Sequence, residues 1–254
     1  MDLREYLTHR FMKALLRTAE GRAHLLNQVA DAEDNGEASI FDQALSWVRD
    51  PKLQKIIDHH RSDEIRHGQL LRARRDATGA VVEPVPDHLK ILDRIDAKLG
   101  GFFERPIQND EGVLTAYLVL LVIEERAVTQ FGMFIDAFAS IDPETAETFR
   151  SIAADEERHL KYCRAIIRQY AKDEADIERR LAQIRAIEAE AFLETSSANV
   201  RYSLERGLIE GRLERLFWRT VNALSIAIHI PPLTPFAKQR WAERPALTPA
   251  QALA

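Results

Sequence analysis

The chain has 254 residues, 46% of them hydrophobic, with 35 Lys and Arg against 40 Asp and Glu for a net charge of −5. The hydrophobic share is that of a globular chain, and the acidic balance supplies no global positive field, so nucleic acid is not an expected partner. The single Cys163 excludes a disulfide framework and any four-cysteine metal module, which fits a reducing cytoplasm.

Residues 1–16 are amphipathic and charged throughout, without a signal peptide's apolar stretch. No run approaches the roughly eighteen apolar residues needed to span a bilayer. Apolar residues then recur at three- and four-residue intervals over 21–48, 51–75, 111–139 and 143–170, which predicts four amphipathic helices. Asp50-Pro51 and Asp142-Pro143 each offer a cap followed by a proline suited to a first helical position. These short joints make two antiparallel hairpins. Residues 76–110 hold Gly79, Pro84, Pro86, Gly100, Gly101 and Pro106 around one short helical pattern at 88–99, and read as a long crossover. A fifth helix is predicted over 173–194 and another over 201–230, where Leu213, Leu216, Phe217 and Trp218 mix with Arg212, Arg215 and Arg219. That last segment suits a core, a second copy in a homodimer, or the surface of a membrane. After Pro231 an extended tail is expected. The resulting division is a helical bundle with its fifth helix over 1–195 and a C-terminal extension over 196–254.

The second hairpin repeats the first at an offset of 92 residues, with Asp63-Glu64-Ile65-Arg66-His67 matching Asp155-Glu156-Glu157-Arg158-His159. A Glu and a His three residues apart on a helix reach the same ion. Glu64 with His67 and Glu156 with His159 satisfy this, on stripes that also carry Leu53, Ile57, His60 and Leu71, and Phe149, Ile152, Cys163 and Ile167. Ionisable groups on core faces are costly unless paired or metal-bound, so a divalent cation is the expected partner. On the first helix Glu33 faces inward. Glu37, one turn on, is an extra ligand or a proton relay. On the third, the face argument selects Glu124 and sets Arg126, Thr129, Gln130 and Met133 outside, whereas the repeat offset applied to Glu33 selects Glu125. Facing takes precedence, because a helix joint absorbs a one-residue difference and a ligand cannot point the wrong way. His60 is open between ligation and support, and Cys163 reads as a small buried residue.

Glu33, Glu64-x-x-His67, Glu124 and Glu156-x-x-His159 resemble the ligand pattern of the ferritin-like di-iron superfamily. Ile123-Glu124-x-Arg126, Phe131 and Asp173-Glu174-Ala175-Asp176-Ile177 bring the chain nearest to the tRNA-modifying hydroxylases that oxidise a methylthio-isopentenyl-adenosine side chain. The resemblance covers about residues 20–195. It implies an all-α, ferritin-like four-helix bundle holding two iron ions, with manganese and zinc also compatible. It further implies dioxygen or peroxide as co-substrate, a separate electron donor and hydroxylation of a partly apolar substrate. Glu64 and Glu156 would bridge the ions, Glu33 and His67 completing one and Glu124 and His159 the other. Competing readings are a peroxidase or ferroxidase without organic substrate, and a non-enzymatic metal-binding bundle. Access is expected past Glu37, Ile40, Val128 and Phe131.

Overall fold

The computed structural model of the chain describes residues 3–36 and 38–233, and among these there are helices and loops but no strand. The helices are α1 (Leu3–Leu15), α2 (Ala19–Asp31), α3 (Ala38–Trp47), α4 (Pro51–Ala77), α5 (Ile91–Lys98), α6 (Asp110–Phe138), α7 (Pro143–Tyr170), α8 (Glu174–Glu205) and α9 (Arg212–Ala227). Side chains cap the starts of the long helices α4, α6, α7 and α8. Asp50 accepts from the Lys52 amide at 2.8 Å, Asn109 from Gly112 at 2.8 Å, Asp142 from Thr145 at 3.2 Å and Asp173 from Asp176 at 2.8 Å. Pro51 and Pro143 open α4 and α7.

The first predicted helix is broken. Between α2 and α3 the chain forms a π turn over Ala32–Gly36. The weak helix formers Asp34, Asn35 and Gly36 allow this local widening, which shifts the register of everything after Glu33. Glu37 lies outside the described residues. Gly68 on α4 makes room for the turn: a Cβ there would fall 2.6 Å from the Asp34 carboxylate, which Arg72 clamps with an Nη2 contact of 2.7 Å.

α2 packs along α4, α6 along α7, α4 against α7, and α3 against α6, so that α2 and α3 as successive halves of one member complete a four-membered helical assembly with α4, α6 and α7. The short pattern expected in the crossover is α5, which with the middle of the chain supports α8. α8 runs on to Glu205, past the expected end at 194, because no Gly or Pro intervenes before Gly207. Gly207 and Gly211, with φ of 71° and 85°, then turn the chain between α8 and α9, so the predicted helix over 201–230 is two elements. α9 buries Trp218 against Phe11, with ring centroids 5.0 Å apart, and Glu214 takes two 2.9 Å hydrogen bonds from Arg10 of α1. Leu213, Leu216 and Leu224 on α9 are exposed. From Thr234 onward the expected tail lies outside the described residues. No described helix is long and apolar enough to cross a membrane.

The apolar interior has two halves. Phe41, Leu53, Ile57, Tyr117 and Ile166 belong to one, and Leu26, Leu71, Phe131, Phe138 and Phe149 to the other. On α4, α6 and α7 the residues between those halves are His60, Glu64, His67, Glu124, Glu156 and His159, all at most 2% exposed.

Candidate metal centre

Glu33, Glu64, His67 and Glu156 form one buried group and His60, Glu64, Glu124 and His159 another, each with one ligand-type atom per residue, all within 4.8 Å of one another. Glu64 belongs to both. The six residues singled out as ligands from sequence therefore converge, and His60 joins them. His60 Nε2 lies 2.8 Å from Glu124 Oε1 and 3.2 Å from Glu64 Oε1, and its ring stacks on His159 at 3.9 Å. The position of His60 on the core stripe was the only signal for it, since the repeat places Ile152 at the matching site. The result is asymmetric, with one imidazole in the first group and two in the second.

Glu125 goes elsewhere. Its carboxylate is buried at 2.9 Å from Arg185 and 3.3 Å from Arg164, while Glu124 is the residue inside the site. The outward reading of Arg126, Gln130 and Met133 is corrected. α8 covers that side of α6, Arg126 is buried with Nε 2.9 Å from Glu188, and Gln130 and Met133 line a cavity. A wheel drawn for one helix in a four-member bundle takes no account of an added fifth layer.

Each repeated motif supports the other motif's histidine. His67 Nε2 donates to Asp155 at 3.2 Å and His159 Nε2 to Asp63 at 3.3 Å, which leaves both Nδ1 atoms facing the carboxylates. Arg66 donates to Asp155 at 2.5 Å and to Asp63 at 2.9 Å, and Arg158 to Asp63 and Asp155 at 2.7 Å each. The Asp and Arg of the Asp-Glu-x-Arg-His repeat thus form a crossed second ring, whose signal was the duplication itself.

The electrostatics follow from burial and crowding. Burial and the neighbouring Glu64 charge push Glu33 up to about 8, against the pull of His67. Burial works against a charged His67, yet hydrogen bonds to Glu33 and Glu64 carry it up to about 11. Burial likewise opposes a charged His159, which Glu156 and Glu64 hold well above its ordinary value. Burial and Glu156 keep Glu124 well above the carboxylate range, and burial and Glu64 raise Glu156. Burial also acts against ionised Glu64, but His159, His60 and His67 keep it well below the usual range. Surplus carboxylates force protons onto His67 and His159 and onto one another, a role that a divalent cation would take over.

The donor set fits two such ions. Glu64 Oε1 and Glu156 Oε1 are buried and receive no aligned hydrogen bond, although His159 Nδ1 lies 2.9 Å from the first and His67 Nδ1 3.4 Å from the second. The imidazoles are close enough to share an ion with these oxygens without being aimed at them. Four carboxylates and three imidazoles form a harder donor set than a structural zinc site uses.

A cavity of about 240 Å³ reaches Glu33, Glu64 and Glu124. Phe131 lines it as expected, whereas Val128 does not and Ile40 lines a separate pocket of about 170 Å³ beside Phe103. The register shift at the π turn and the covering α8 move access to the side of α1 and α8. Comparison of the chain with protein-family models, with curated proteins and with solved structures finds no match.

Proposed function

We propose that the chain is a ferritin-like di-iron protein that catalyses oxygen-dependent hydroxylation of a partly apolar small molecule. The observation that carries this reading is the pairing of two buried ligand groups sharing Glu64 with a mostly apolar cavity that ends on Glu33, Glu64 and Glu124. Glu33, Glu64, His67 and Glu156 would hold one ion, and His60, Glu64, Glu124 and His159 the other. Two irons, when bound, supply reductive activation of dioxygen, with the overall balance that a C–H bond, dioxygen, two electrons and two protons give an alcohol and water. The electrons come from a separate donor protein.

The chain's own residues set the conditions for that reaction. Asp63 and Asp155 fix the imidazole tautomers through the Nε2 protons of His159 and His67. Phe131 and Phe134 line the cavity that reaches the carboxylates and would limit water there once a substrate fills it. Glu33 sits where the cavity meets the site, so of the proposed ligands it is one that a bound substrate would approach. A peroxide-scavenging centre has no use for such a cavity, which favours an organic substrate.

The test is oxygen uptake by the reduced, iron-loaded chain, with oxidised-iron absorbance followed in parallel, for wild type and Phe131→Trp. Substrate-stimulated uptake that Phe131→Trp abolishes, with iron content unchanged, is expected. Fast turnover of peroxide with no organic product and no effect of Phe131→Trp would contradict the reading.

A further inference from the structure

We propose that the cavity takes a small amphipathic acid, with its carboxylate on Arg126 and Ser196 and its hydrocarbon body along α1 and α6 towards Glu33 and Glu124. The inference rests on the di-iron reading for the fate of the far end of the molecule, and on the cavity alone for its recognition.

Arg126 lines the cavity and is 8% exposed. Glu188, which does not line it, is ion-paired with the guanidinium, its Oε1 2.9 Å from Nε without an aligned hydrogen bond, and Nη1 donates to Gln130 at 3.3 Å. A guanidinium has five N–H donors in a planar fork, so donors remain with no hydrogen-bonding partner among the described residues. Ser196 also lines the cavity, is 5% exposed, and its hydroxyl has no partner among the described residues. Glu188, Phe192 and Ser196 recur every fourth residue on one face of α8, and the Phe192 ring lies 5.7 Å from Arg126 Cζ.

Buried donors without acceptors are costly, and an acceptor-only carboxylate is the head group suited both to a guanidinium fork and to a hydroxyl. A hydroxyl or amide head would bring donors of its own. Phe11, Met12, Leu15, Phe131 and Phe134 supply apolar wall that suits hydrocarbon, beside a polar part of the lining that includes Gln28, Lys90 and Asn199. At a packing density of about 0.74, the volume of about 240 Å³ holds about ten non-hydrogen atoms, the size of an eight-carbon acid.

Isothermal titration of the metal-free full chain with octanoate, octanamide and 1-octanol tests the assignment. Octanoate is expected to bind at least about tenfold more tightly than either neutral analogue. Arg126→Gln should weaken octanoate about tenfold and Ser196→Ala about threefold, both leaving 1-octanol unchanged, with Arg126→Lys intermediate because it keeps the charge and loses the fork. Equal affinity for octanoate and 1-octanol, no octanoate binding without metal, or indifference to all three substitutions would overturn it. Should Arg126→Gln fail to fold, Arg126→Lys and Ser196→Ala decide. Iron uptake is measured on the same preparations. Weak octanoate binding by a chain that takes up two irons counts against this inference alone, and tight binding by a chain that takes up none counts against the di-iron reading alone.

Discussion

Asp155→Asn perturbs the crossed second ring at one point and leaves every proposed ligand in place. In the native chain the Asp155 carboxylate accepts the His67 Nε2 proton at 3.2 Å and contacts with Arg66 at 2.5 Å and Arg158 at 2.7 Å. An amide presents either an oxygen or an NH₂ group to Nε2. The NH₂ orientation favours the tautomer with its proton on Nδ1, the atom that faces Glu33, Glu64 and Glu156. Losing such a partner lowers metal affinity about 10- to 100-fold, or about 1.4–2.8 kcal/mol. The effect on the metal-free fold is smaller. The Arg66 and Arg158 side chains are 42% and 33% exposed, so solvent screening holds the loss of their ion pairs to about 1 kcal/mol or less. Competition between the protein and a chromogenic chelator for iron(II) or cobalt(II), alongside thermal melting of the metal-free protein, separates the two quantities. Native metal affinity in Asp155→Asn would refute the role given to the ring, as would a collapse of the metal-free melting temperature as large as the loss of affinity.

Two glycines should respond in opposite directions to alanine. Gly68→Ala drives a methyl into the clamped Asp34 and is expected to destabilise by about 1–3 kcal/mol, whereas a Cβ at Gly132 meets nothing within 4 Å, so Gly132→Ala should stabilise by about 0.5–1 kcal/mol. Chemical denaturation midpoints check both, and a Gly68→Ala as stable as wild type would show that the π turn yields freely. Glu125→Gln removes the buried charge beside Arg164 and Arg185 and should cost about 3 kcal/mol while two metals still bind, and Glu124→Gln should impair metal binding instead. Metal analysis and melting curves showing the reverse pattern would restore Glu125 as the ligand. Burial holds the His24 imidazole below its ordinary value, against the hydrogen bond that its Nε2 donates to Asn199 Oδ1. Its stabilising contribution is therefore complete above about pH 6.5 and is lost as the pH falls from there through the folded pKa. His24→Gln should flatten stability against pH in that window, and an unchanged slope would assign the dependence to another group.

Much of the arrangement was legible because duplication and burial leave marks in a single sequence. Glu64, His67, Glu156 and His159 stand on stripes that are apolar apart from His60, and an ionisable group can occupy such a face only with partners. Asp50-Pro51 and Asp142-Pro143 announced the hairpin joints for an equally local reason, since cap and proline act on their own helix. What escaped depends on contacts between distant segments. The π turn at 32–36 arises where α4 carries Gly68 and Arg72 to receive Asp34, so a helical period drawn through residues 21–48 could not reveal it. Asp63 serves His159 rather than its neighbour His67, a crossing that exists only once α4 and α7 face each other. Arg126 looks solvent-bound on a wheel until α8 supplies Glu188. His60 has no repeat partner, and its place beside Glu124 comes from the packing of α4 against α6.

Iron stoichiometry by mass spectrometry under non-denaturing conditions, on chain reconstituted anaerobically with iron(II), tests the shared centre most directly in wild type, Glu33→Ala and Glu64→Ala. Glu33 belongs to one ligand group and Glu64 to both. Two ions in wild type, one in Glu33→Ala and none in Glu64→Ala is the expected series. Two ions retained in Glu64→Ala, or no more than one in the wild-type chain, would contradict a pair of metals held across Glu64.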